Sequence, residues 1–320
     1  MKSVNEQTIG KQERGAEPAY RRPKQYAAQR FYQRLNKLDY LLITLSILIV
    51  CWLYYRSSIG VNYHWNWAGS LSLIFTPRAN GDLPYFFQGI LATLRLSLWG
   101  MAFALLLGSA LGLARYSRIA LFRISATAYV QLIRNIPPLV FVFIFYFFIS
   151  NQLIPLLGLE VLLRERTGDI NTFQAVLFGQ ARLWENLLSG VLCIGLLSAA
   201  YIAEVVRAGL ESIPKGQWEA ASALGLSLPD KYRFIIAPQV LSNISPPLAG
   251  QSISLVKDSS IISLISIQEL TFVGTEIANS SGLIFEIWIL VGSAYLVLCL
   301  SLSLLFSRLE QRARKHLYRD

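Results

Sequence analysis

The chain has 320 residues, 54% hydrophobic and 15% charged, with a mean hydropathy of +0.45 and a net charge of +10. Soluble domains carry about a quarter charged residues, so this balance excludes an ordinary soluble domain and points to an integral membrane protein. The basic excess does not signal nucleic acid. The charges sit in loops and termini between apolar runs, where positive residues held on the cytoplasmic side of a bilayer give the same total.

Residues 1–37 are polar, basic and poor in large aliphatics, and read as a cytoplasmic tail close to anionic headgroups. Six segments approach the roughly 20 apolar residues that a membrane-crossing helix needs: 38–55, 86–114, 124–154, 186–208, 239–264 and 283–307. The first stays as an anchor, because the charged stretch before it is too long for a signal peptide and no small-residue cleavage site follows it cleanly. Outer loops cover 56–85, with "WNW" at 65–67 expected at the outer interface, and 155–185. Within the third segment Pro137 and Pro138 break a continuous helix, so 119–133 reads as an interfacial helix and Arg134 lies near the cytoplasmic surface. Residues 308–320 form a second basic tail. Only Arg56, Arg78, Arg164, Arg166 and Arg182 fall in outer segments, against a large majority of the 29 basic residues in inner ones, so both termini are expected in the cytoplasm.

Several charges interrupt the spans. Arg95 lies a few residues inside the outer end of its segment, within reach of the interface by snorkelling. Glu204 and Arg207 bracket the inner end of the fourth. Lys257 and Asp258 stand inside the fifth, where ionisable residues are costly and mark function by default. They line a pathway for a zwitterionic solute or form a structural ion pair of the bundle, and the sequence leaves both open. Glu269 follows just beyond the outer end of that segment. Cys51, Cys193 and Cys299 are far apart in apolar runs and read as core or lipid-facing residues. No G-x-x-x-x-G-K-[ST] phosphate loop, G-x-S-x-G elbow or histidine pair is present, so the sequence shows no ATPase or hydrolase motif.

The inner loop at 209–238 is different in kind. "PKGQWEAASALGLS", 214–227, has a proline suited to a helix start and a glycine suited to its stop, giving a helix of about 11 residues, roughly 16 Å. Trp218, Ala221, Ser222 and Gly225 share a face that is nearly flat apart from the tryptophan. "SLPD" then caps a second helix, which is expected to end by Pro238. A hairpin resting on the bilayer is the plain alternative, but the first helix lacks the broad apolar face that insertion needs. A docking element for a partner protein fits better.

These residues carry a resemblance. "EAASALG" followed by "IIAP" at 235–238 is similar to the E-A-A-x-x-x-G-x(9)-I-x-L-P signature of membrane subunits of ATP-binding cassette importers, with Ala237 in place of the usual leucine. "YIAEVVRAGLESIPKGQWEAASALGLS", "RNIPPLV" at 134–140, "SLVKDSSIISLISIQEL" at 254–270 and "TLRLS" at 93–97 resemble the polar or general amino acid branch, over roughly 86–310. The resemblance implies an all-α polytopic membrane protein: a five-helix type I importer permease core at 86–307, plus one extra N-terminal transmembrane helix. It also implies a multi-pass protein of the bacterial inner membrane. Ala220, Ala221 and Gly225 would give close approach to a separate ATPase, Glu219 a polar or ionic contact, and Pro238 closes the signature. Lys257, Asp258, Glu269 and Arg134 are the candidates for the pathway or for ion pairs. The implied partners are two ATPase copies, a second permease chain (identical or homologous), a periplasmic amino acid-binding protein and membrane lipid, with no nucleic acid. ATP and magnesium belong to the ATPase, and no cofactor is expected on this chain. An ion-coupled secondary transporter would leave the loop helix without a role, and a membrane sensor would lack a signalling domain.

Overall fold

The computed structural model describes residues 37–60, 63–77, 83–156, 158 and 172–317, in which all regular structure is helical. The chain divides into two units, residues 1–64 and 65–320. The first contributes α1, Lys37–Gly60, whose apolar stretch Leu38–Arg56 is long enough to cross a membrane. Most of residues 1–37 and the distal 318–320 lie outside the described residues, as do parts of both expected outer loops.

In the second unit, α2 (Trp67–Phe75) starts where the Asn66 side chain accepts the Gly69 N–H at 2.8 Å. Trp65 and Trp67 stack 5.6 Å apart and remain exposed. Two long helices form the centre, α3 (Tyr85–Tyr116) and α8 (Trp184–Glu211). They meet along glycines. A Cβ added at Gly108 would stand 2.7 Å from Ile202 Cβ and 2.8 Å from the Ala199 carbonyl, and one at Gly112 would stand 2.7 Å from Val206 Cβ. In lipid, apolar burial drives helix association little, and close backbone packing takes its place. Gly108→Leu is therefore expected to abolish monodisperse protein in detergent. Gly292→Leu, at a site where nothing lies within 4 Å of an added Cβ, should leave the elution profile unchanged.

Between these helices the chain first runs through α4 (Ala120–Asn135), which buries Ala126, Val130 and Ile133 on one side and exposes Leu121, Phe122 and Ile124. At Pro137–Pro138 it turns by 111° into α5 (Pro138–Ile144), a π turn at Phe145–Ser150 and α6 (Asn151–Leu156). The proline ring removes a donor and clashes with a continuing helix, so the break falls where the sequence puts it. The short α7 (Thr172–Phe178) precedes α8.

After the loop, α11 (Ala237–Asp258) leads into a 3-10 segment, Ser259–Ile265, which ends at Ser266 with φ +62°. The chain then bends by 52° into α12 (Leu270–Ser281), followed by α13 (Ile284–Leu317). Four described helices are long and apolar enough to cross a membrane, or six if each bent pair is one span. That agrees with the six segments read from sequence.

Candidate functional site

The loop helix, α9, covers Lys215–Ala223, two residues shorter than the sequence suggests, because Pro214 sits at the cap rather than inside. Gly225 ends it in the left-handed region, φ +73°. The Gly225 and Leu226 N–H groups return to the Ser222 and Ala221 carbonyls at 3.0 and 3.2 Å, a glycine-terminated helix end. Ser227 then caps α10 (Leu228–Asp230) by accepting the Asp230 N–H. The second helix does not stop at Pro238. A π turn at Lys231–Ile236 sends the Ala237 N–H back to the Tyr232 carbonyl, and α11 continues through the proline.

The two faces of α9 differ. Trp218 points at the bundle, stacked on Tyr116 of α3 at 6.2 Å and edge-on to Tyr232 of the π turn at 5.3 Å. Ala221 is only 1% exposed beside it. Lys231 Nζ donates to Ser222 Oγ at 2.8 Å, closing the same side. Outward stand Gly216, Glu219, Ala220 and Ala223, with Leu224 76% exposed at the end. This corrects one sequence assignment. Ala221 is covered by its own bundle and is not available for close approach by another protein, because the tryptophan draws its whole face inward. Glu219, Ala220 and Gly225 stay exposed.

Next to α9 is a charged knot whose members stand apart in the sequence. Glu204 of α8 pairs with Arg115 of α3, with Arg207 at 2.5 Å and with Arg134 of α4 at 3.3 Å, and Arg207 also reaches Glu211 at 2.5 Å. Arg134 lies over the Tyr201 ring, 5.7 Å from its centre. One carboxylate thus ties three helices together, and Arg134 is a member of this knot. The i, i+3 and i, i+4 spacing of Glu204, Arg207 and Glu211 was the readable signal for part of it. An open cavity of about 910 Å³ lies beside the knot between α8 and α11, lined by Glu204, Ser212, Asn243 and Pro246 among others.

The remaining candidates lie toward the other end. Arg95 does not snorkel: its Nε and Nη2 donate to the Val176 and Ala175 carbonyls at 2.7 and 3.0 Å, satisfying the last turn of α7. A second cavity, about 480 Å³, borders it together with Gln88, Asn186 and Gln268. Glu269 is fully buried and caps α12, accepting the Phe272 N–H at 2.9 Å and the Tyr295 hydroxyl at 2.5 Å. A structural cap explains it without a pathway. Lys257 is exposed and Asp258 half-buried, and among the described residues neither forms an ion pair. Cys193 is buried, Cys51 exposed and Cys299 between them, all free.

A helical bundle with several candidate spans, a cavity beside the charged knot, another beside Arg95 and a polar loop helix clamped to its rim fits the membrane-embedded subunit of a transporter. The chain belongs to the family described as "Binding-protein-dependent transport system inner membrane component", whose model matches residues 104–315. That family is the permease part of type I importers, and this chain is a multi-pass member of it. It is 32% identical to the probable glutamine ABC transporter permease protein GlnM of Bacillus subtilis, over 72% of this chain and 94% of that one. It is 31% identical to the glutamate/aspartate import permease protein GltJ of Escherichia coli K12, over 78% and 95%. A solved structure titled as an amino acid ABC transporter with histidines matches with a TM-score of 0.61 at 26% identity, covering 78% of this chain and all of that one.

Proposed function

We propose that this chain is a permease of an ATP-driven importer that moves amino acids into a bacterial cell across the inner membrane. Its loop and both termini face the cytoplasm. A second permease chain completes the pathway, two copies of a separate ATPase bind and hydrolyse ATP with magnesium, and a periplasmic amino acid-binding protein delivers the solute. The observation that carries this reading is the two-faced loop helix. One side is clamped to the bundle by Trp218, while Gly216, Glu219, Ala220, Ala223 and Leu224 face outward, uncovered by the other described residues. A face of small residues around one acid and one leucine suits a groove in another protein. Because the helix is held on its inner side, movement of that protein is passed to α3 and α11. The amino acid substrate class follows from the likeness to GlnM and GltJ.

The test is uptake into vesicles holding the complete complex. Uptake of glutamine, glutamate or a related amino acid is expected with ATP present and no ion gradient. Uptake driven by an ion gradient without ATP would assign the chain to a secondary transport mechanism.

A further inference from the structure

The link from α3 to α4 carries charge that the chain does not balance. Residues 83–159 contain five arginines and no lysine, aspartate or glutamate. Arg95 is taken up by the α7 carbonyls, and Arg115 and Arg134 share Glu204 with Arg207. Glu211, the other carboxylate of the knot, is bound by Arg207. Arg118 and Arg123 remain: both are exposed, and among the described residues neither forms an ion pair. They stand at the loop end of the bundle, because Tyr116, the last residue of α3, stacks on Trp218 of α9.

The pattern of α4 suits a membrane surface. The 111° bend at Pro137–Pro138 keeps it from continuing into the next span, and the Tyr129 hydroxyl ties it to α8 by donating to the Leu196 carbonyl at 2.8 Å. At about 100° per residue its positions fall into three arcs. Ala126, Val130 and Ile133 are buried; Leu121, Ile124 and Leu132 form an exposed apolar arc; Arg123, Thr127 and Gln131 lie between the two, at i, i+4 and i+8. An apolar arc beside a basic, polar one lets a helix settle where headgroups meet acyl chains. A soluble anion would neutralise Arg118 and Arg123 but leave Leu121 and Ile124 bare. An anionic phospholipid meets both needs, and a zwitterionic one brings its own cation toward the arginines.

We propose that residues 117–124 bind an anionic phospholipid, its phosphate held by Arg118 and Arg123 and its acyl chains laid over Leu121 and Ile124. That the lipid belongs to the cytoplasmic leaflet rests on the reading of the loop as cytoplasmic. The site adjoins Tyr116, so the lipid supports the same rim that Trp218 grips.

The test offers the complete complex, in mild detergent, equal amounts of dioleoyl phosphatidylglycerol and dioleoyl phosphatidylcholine, and weighs what stays bound by native mass spectrometry. Phosphatidylglycerol is expected to be retained over phosphatidylcholine by roughly tenfold. Arg118→Gln/Arg123→Gln should bring that ratio to within about twofold of unity with an unchanged elution profile, since neither side chain is bonded to the bundle. Arg118→Lys/Arg123→Lys, which keeps both charges, should hold most of the preference. Arg308→Gln/Lys315→Gln removes the same charge from the C-terminal tail and should leave the ratio as it was. An unchanged ratio in Arg118→Gln/Arg123→Gln overturns the site, as does an equal fall in the tail variant, which would make the preference a matter of net charge alone. A complex that carries its ATPase but shows no preference also overturns the site and leaves the importer reading intact. A chain that shows the preference but brings no ATPase upholds the site, and the importer reading fails.

Discussion

Trp218→Ala is expected to cut ATP-driven uptake by about tenfold or more while the chain still inserts and still holds its ATPase. The nine-residue α9 is too short to keep its place by helix propensity alone. Its hold on the bundle comes from the ring packed between Tyr116 and Tyr232, with Ala221 buried beside it. Two aromatic contacts and the buried area of a half-covered tryptophan together amount to roughly 2–4 kcal/mol. Without them the outward face keeps Glu219 and Ala220 for the partner, but the inner side no longer drags α3 and the π turn with it. The signature is therefore ATP hydrolysis that continues without uptake, read as ATP consumed per solute moved. Trp218→Phe should recover part of the coupling. A Trp218→Ala protein with the original ratio would show that the aromatic clamp transmits nothing.

Glu204→Ala should produce the largest loss of stability among the charged residues, roughly 3 kcal/mol, because it leaves Arg115, Arg134 and Arg207 facing one another at the end of the bundle. Arg115 is the most enclosed partner, its side chain only 10% exposed, so Arg115→Ala is expected next. Arg134 is 42% exposed and 3.3 Å away, and Arg134→Ala should cost about 1 kcal/mol or less. Thermal unfolding of the three variants in detergent gives the order. An Arg134→Ala shift as large as that of Glu204→Ala would mean that the knot is not centred on the carboxylate.

The spans were legible in the sequence because length and hydropathy alone set them, and Pro137–Pro138 announced the break after α4 by simple sterics. The loop helix was legible too, through its proline, its glycine and its polarity. The direction it faces was not. Trp218 finds Tyr116 from the far end of α3 and Tyr232 from the next turn, and no local pattern joins these three rings. Pro238 misled for a related reason: a π turn upstream absorbs the ring, and hydrogen-bond registers of that kind leave no mark in composition. Arg95 behaves likewise. Its partners are the carbonyls of α7, distant in sequence, so a snorkelling reading was natural and the capping role could emerge only from the fold. Glu269 is a similar case, since a buried cap and a pathway residue look alike until the helix behind it is seen.

The central claim is that the outward face of α9 docks a separate ATPase, and isolation of the complex from its own membranes tests it most directly. The tagged chain, extracted in mild detergent and weighed intact by mass spectrometry, is expected to carry two ATPase copies. Ala220→Trp fills the exposed face without touching the bundle, and should yield the same folded chain without the ATPase. A wild-type chain that emerges free of any ATPase, or an Ala220→Trp chain that retains both copies, would contradict the account.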